Sequence, residues 1–169
     1  SPRPPRPPRA PRAPRPVEPP PFDATTAAPA PQLTCLTGPA RIIDGDSIVI
    51  RKTQIRLFGI DAPEINHPYG QKAKWALVRL CKGQAIRAEI LETDTHGRTV
   101  AKCYLEDGRD LSCEMVKLGL AIDWPKFSGG TYRHLEPPDA RKKMWLADAR
   151  QKGHMHVWAK FEARKNQSS

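Results

Sequence analysis

Three observations predict an α+β fold, mainly β, built on a small closed barrel. Short β-branched segments recur at residues 40–50, 55–60, 85–91 and 99–105. Their apolar and polar positions alternate as expected of strands with one buried face. A single helical pattern at 69–82 separates the first pair of segments from the second. A leader rich in proline and arginine stands apart from both.

The leader is residues 1–34. It holds 13 of the chain's 19 prolines and five arginines. Such a segment has too few apolar side chains to offset its ordering entropy, which predicts disorder or transient polyproline II. Its PxxP spacing would suit an SH3-like groove, although composition of this kind more often marks a linker or an electrostatic arm. Residues 35–160 are long enough to bury a core without staples, and 161–169 read as a polar C-terminal tail.

Within 40–50, Asp44-Gly45-Asp46 sits mid-segment, and its glycine predicts a bulge or bend. Residues 51–54 read as a hairpin turn into 55–60, and Pro63 and Pro68 then interrupt regular structure. Ala73, Ala76, Leu77 and Leu80 share one helical face, and Gly83 ends that helix. After the strands at 85–91 and 99–105, residues 111–118 predict a short helix stopped by Gly119. Residues 139–152 predict a further amphipathic helix, with Pro137 and Pro138 at its start. Mostly antiparallel strands interrupted by one helix suit a five-stranded OB-fold barrel with about three helices, whose groove nucleic acid often occupies.

The charge is consistent with an anionic partner. Lys and Arg total 28 against 18 Asp and Glu, a net +10, of which the leader carries +3. A basic surface concentrates polyanions, but it also merely solubilises, so charge counts only beside a site. No apolar run is long enough to span a membrane as a helix. Cys35, Cys81, Cys103 and Cys113 have no zinc-ligand spacing, and three disulfide connectivities are open to them. Their even number, the absence of an initiating Met and the leader together predict an extracytoplasmic (secreted or periplasmic) location.

Five charged residues carry the chemistry. Asp46 follows Asp44-Gly45, Arg56 lies in the next strand, Asp61 and Glu64 flank Ala62-Pro63, and Arg98 follows Asp94-Thr95-His96-Gly97. Carboxylates that hold a hard cation and guanidinium groups that grip a phosphate are the parts required for phosphodiester cleavage. No His or Cys joins the set, which favours calcium or magnesium over zinc. Each segment alone has a plainer reading: Asp-Gly-Asp is a common turn, and Arg56 could be an ordinary ion-pair partner of Asp61. Their order on the expected elements reverses those odds. His67 and His134 stand alone, His154-Met155-His156 reads as a surface turn, and the tryptophans at 75, 145 and 158 read as core or docking residues.

From about residue 38 to residue 158 the chain resembles the staphylococcal-nuclease (thermonuclease) family. The strings that carry the resemblance are Ile43-Asp44-Gly45-Asp46-Ser47, Ile55-Arg56-Leu57-Phe58-Gly59-Ile60-Asp61-Ala62-Pro63-Glu64, Gly97-Arg98-Thr99-Val100-Ala101 and Met115-Val116-Lys117-Leu118-Gly119-Leu120-Ala121. The resemblance implies an OB-fold nuclease using one Ca²⁺ ion. Asp46, Asp61 and the main-chain carbonyl of Ala62 would bind the ion, with Asp44 supporting from outside. Glu64 would orient or deprotonate the attacking water, and Arg56 and Arg98 would hold the scissile phosphate. DNA and RNA, preferably single-stranded, would be cut with little sequence preference to leave 3′-phosphate ends, by a monomer.

This chain also departs from the family pattern. Ser47 and Ala62 replace common threonines, and His96 stands where a tyrosine often touches the phosphate. Tyr69 is a candidate for the site edge, while Trp124 and Phe127 read as packing residues. The stretch from Glu64 to Tyr69 is short, so a loop over the site is trimmed. The alternative is a silent nuclease-like module that binds nucleic acid or protein. Such a module would be expected to lack one of the five key groups, and all are present.

Overall fold

A computed structural model describes residues 2–5, 35–93 and 99–167. Residues 2–5 are exposed and without regular structure; the rest of the leader lies outside the described residues, as do His96 and Arg98. Five strands close a barrel in the order β1-β2-β3-β6-β5, as the segment pattern predicts. They are β1 (Cys35–Asp44), β2 (Ser47–Ile50), β3 (Thr53–Leu57), β5 (Ala85–Thr93) and β6 (Thr99–Tyr104). Four of the pairings are antiparallel, and β3 joins β6 in parallel, Arg56 opposite Val100. This is an OB-fold, α+β and mainly β.

The segment at 40–50 is two strands rather than one bent strand. β1 and β2 pair antiparallel, Ala40 opposite Ile50 and Asp44 opposite Ser47, with an irregularity after Ile42. The Asp-Gly-Asp string is therefore the tip of a tight hairpin. The next hairpin turns at Arg51 and Lys52, both with positive φ (49° and 69°), the conformation required by a turn whose twist matches its flanking strands.

Ile48, Ile50, Ile55, Leu57 and Ile86 fill the barrel and are fully buried. Helix α1 (Gly70–Cys81) covers it with Ala73, Ala76 and Leu77. Helix α2 (Leu111–Lys117) adds Leu111, Met115 and Val116, and Asp110 caps its start by accepting from the Ser112 amide at 2.8 Å. A short ladder of β4 (Ile60–Asp61) with β7 (Ile122–Asp123) pairs Ile60 with Asp123 and Asp61 with Ile122. It carries the carboxylate segment out of the barrel wall.

Beyond β7 the chain is more broken than its pattern predicts. Helix α3 (Pro125–Ser128) starts on a proline, and a 3₁₀ turn spans Arg133–Leu135. The expected helix at 139–152 is split into α4 (Ala140–Lys143) and α5 (Trp145–Gln151) at Met144, whose φ and ψ of −102° and 46° are not helical. Burial explains the break: Met144 and Leu146 both reach the interior, only two residues apart, which a continuous helix would place on different faces. Arg141 fastens the region, bonding Glu136, Asp148 and the Asp123 carbonyl at 2.8–3.0 Å. Helix α6 (Met155–Gln167) runs past residue 160. The four cysteines are free thiols, and burial pushes the Cys81 thiol up to about 12.

Candidate active site

The hairpin tip between β1 and β2 presents two of the predicted carboxylates. The Asp46 amide donates to Asp44 Oδ1 at 3.1 Å, closing a local turn. Asp46 is 5% exposed, and its carboxylate is held from two sides. Ser47 Oγ donates to Oδ1 at 3.2 Å, and the Ala62 amide donates to Oδ2 at 3.0 Å. Gly45 is required by close approach: a Cβ there would lie 2.7 Å from the Cβ of Ala73 and 2.8 Å from that of Ala62. The tip is thus wedged between α1 and the segment carrying Asp61, Ala62 and Glu64.

Arg56 projects from β3 to the same place. Its Nη1 is 3.7 Å from Asp46 Oδ2, and its Nη2 donates to the Ile60 carbonyl at 3.2 Å. Asp61 is fully buried, and its ion-pair partner is Arg150 of α5, with the charge of Arg56 acting on it more weakly. Arg150 Nε donates to Asp61 Oδ2 at 3.3 Å, Nη2 donates to Oδ1, and Nη1 donates to Glu64 Oε1 at 2.9 Å. One guanidinium therefore ties a buried aspartate to a half-exposed glutamate. The indole of Trp124 completes the group, with the guanidinium carbons of Arg56 and Arg150 at 5.5 and 5.3 Å from its ring centre.

The cluster carries more negative charge than it comfortably solvates. Burial pushes the Asp44 carboxyl up to about 7, and the charge of Asp46 adds to the effect. Burial raises Asp61 to about 6; Arg150 pulls it down and Asp46 pushes it up, so desolvation outweighs the ion pair. Burial opposes the charge on Arg150, but Asp61 and Glu64 more than compensate and hold it above its ordinary value.

Of the residues singled out in the sequence, Asp44, Asp46, Arg56, Asp61, Ala62 and Glu64 come together here. Tyr69 stands at the N-cap of α1 with φ 67°, its ring beside Lys72 and Lys143 at 5.7 and 6.0 Å. Two members of the site escape sequence reasoning. Arg150 lies 89 positions from its partner Asp61 with no local motif, and Trp124 reads as packing until Arg56 and Arg150 are seen beside it. His67 does not stand alone: it is buried, 3.1 Å from Glu162 and edge-on to Trp158 and Phe161. His154 and His156 are exposed where α6 begins.

A hard cation fits the chemistry of this donor set. Asp44, Asp46 and Asp61 offer carboxylate oxygens alone, the donors a hard cation prefers, and burial raises the carboxyls of Asp44 and Asp61. Among the described residues no three His, Cys, Asp or Glu side chains form a ready-made ligand group.

An OB barrel whose hairpin tip and outer ladder bring three aspartates, a glutamate and two arginines together defines a protein of the nuclease-like class. Residues 54–158 match the family model described as staphylococcal nuclease homologue, and the chain belongs to that family. It is 33% identical over 115 residues to a protein of Oryza sativa subsp. japonica named "Probable staphylococcal-like nuclease CAN1", covering 68% of this chain and 31% of that one. It is 35% identical over 112 residues to a "Probable endonuclease LCL3" of Phaeosphaeria nodorum, covering 59% and 38%. An "Uncharacterized endonuclease" of Escherichia coli O157:H7 is 32% identical over 92 residues, covering 52% and 60%. The chain spans less than two thirds of the length of each of these relatives.

Proposed function

We propose that the chain is a Ca²⁺-dependent nuclease that hydrolyses phosphodiester bonds of DNA and RNA, preferably single-stranded, with little sequence preference, leaving 3′-phosphate ends and acting as a monomer. One observation carries the reading: Asp46, Asp61 and Glu64 share a site with Arg56, on a barrel of the nuclease family. Asp46, Asp61 and the Ala62 carbonyl would hold the ion, with Asp44 supporting Asp46 through the turn. Bound there, Ca²⁺ supplies positive charge against the phosphate oxygens.

The remaining work falls to side chains. Glu64 is half exposed, 44% by its side chain, and can take a proton from a water on the solvent side. Loss of that proton makes the water oxygen a nucleophile toward phosphorus, and the bond to the 5′ oxygen breaks as the new one forms. Arg56 holds a phosphate oxygen and offsets the growing negative charge, a role shared with Arg98. Trp124 fixes the Arg56 guanidinium from the side. Contacts to the phosphate backbone rather than to base edges account for weak sequence preference.

Heat-denatured DNA incubated with the chain and Ca²⁺ should be cut, and excess EGTA should stop the reaction. Glu64→Ala and Arg98→Ala should each remove the activity; cleavage no greater than in these variants would overturn the nuclease reading. One observation favours a silent binding module instead. Arg150 already occupies both Asp61 and Glu64, so catalysis requires Glu64 to be released from that contact.

A further inference from the structure

Helix α1 carries a second feature that the cleavage site does not use. Tyr69, Lys72, Trp75 and Arg79 succeed one another at three- and four-residue steps and so form one stripe along about 15 Å of helix. Facing them are Leu118, at the end of α2, and Lys143, at the end of α4; between the two sides runs an open groove of about 630 Å³. Trp75 and Leu118 are 53% and 54% exposed, unusual for residues of their size. The lining holds Lys72, Arg79 and Lys143 and no carboxylate. Lys143 is paired with Asp139, one turn earlier at the start of its own helix, at 3.2 Å.

We propose that this groove binds a single-stranded nucleic-acid segment, extending the contact made at the cleavage site. Exposed aromatic rings interleaved with cations are what a flexible polyanion with flat bases needs: Trp75 offers a stacking face, and Lys72 and Arg79 flank it at phosphate-contacting positions. Charge supports this occupant: the lining offers three cations and no carboxylate to a polyanion. Gly70 packs against the Glu64 main chain so closely that a Cβ would overlap its carbonyl. Tyr69, the residue before that contact, is part of the groove's lining. An acidic polypeptide would satisfy the cations but leave Trp75 without a stacking partner.

The inference goes beyond the nuclease reading and is tested without cleavage. Binding of a fluorescein-labelled oligothymidylate to the full chain is followed by anisotropy in EGTA over a range of salt. Trp75→Ala should weaken binding about tenfold. Lys72→Ala/Arg79→Ala should weaken it further and reduce the slope of log affinity against log salt by about 1.4. All three side chains are exposed or stand at the groove edge, and circular dichroism of each variant checks the fold. Three results would overturn the proposal: an equal loss in the charge-matched variant Arg87→Ala/Arg109→Ala, no loss in the groove variants, or equally strong competition by polyglutamate. Should Ca²⁺-dependent cleavage be absent while the groove variants still lose binding, the nuclease reading fails and the groove stands.

Discussion

Arg150 supplies the cation that the fully buried carboxylate of Asp61 needs, and the same guanidinium reaches Glu64 at 2.9 Å. A buried carboxylate without such a partner would protonate or destabilise the fold. The pair therefore holds the acidic segment in place and also sets what must move before Glu64 can act.

Arg150→Ala should lower the stability of the metal-free protein by about 3 kcal/mol, the usual cost of stripping one partner from a buried ion pair. Added Ca²⁺ should recover more of that loss than it adds to the parent protein, because it brings charge back to Asp61. Thermal unfolding of both proteins with Ca²⁺ and with EGTA checks this. Equal Ca²⁺-induced shifts would rule out competition between Arg150 and the ion.

Glu64→Gln should cut phosphodiester hydrolysis by at least about 100-fold, the usual contribution of a positioned base. Its effect on stability should be small, since the side chain is half exposed and its amide can still accept from Arg150. Rates on denatured DNA beside urea unfolding curves separate the two effects.

Gly45→Ala should cost about 1–3 kcal/mol from overpacking, since the added methyl meets Ala73 and Ala62 at under 3 Å. It should also lower activity, because the hairpin tip carrying Asp46 must shift to make room. Denaturant midpoints and cleavage rates of the variant should fall together.

Asp44→Asn should stabilise the metal-free protein more at pH 8 than at pH 5. The Asp44 carboxyl is raised to about 7 in the fold from an ordinary 3.8. Between those values the folded state holds a proton that the unfolded chain has released, so stability falls as pH rises through the window. Above it the folded protein carries the full cost of a crowded charge, which the amide lacks. Asparagine can still accept from the Asp46 amide. Urea titrations in EGTA at the two pH values measure the difference, and equal effects at both would contradict the assignment.

The barrel was legible because alternation is a local signal, and β3, β5 and β6 show it in their own residues. The hairpin at Gly45 was harder. An i, i+2 pair of aspartates around glycine is compatible with both a bulge and a turn, and the pairing of Asp44 with Ser47 decides between them. The break at Met144 accompanies the burial of both Met144 and Leu146, which no helical pattern reveals. At the site, Asp46, Arg56, Asp61 and Glu64 fall within residues 46–64 and are readable together. Arg150 and Trp124 were not, because only the pairing of β7 with β4 and the packing of α5 bring them to Arg56 and Asp61.

The distance along the chain between Asp61 and Arg150 also orders events in time. A ribosome releases the strands that bury Asp61 well before it releases α5, so for that interval the aspartate has no guanidinium to face. Its desolvation then works against closing the outer ladder, while the barrel strands are free to pair. Locking of the acidic segment is deferred until the last third of the chain arrives. A chain cut before α5 should keep strand pairing yet leave its acidic corner loose, readable as fast amide exchange at Ile60, Asp61, Ala62 and Glu64.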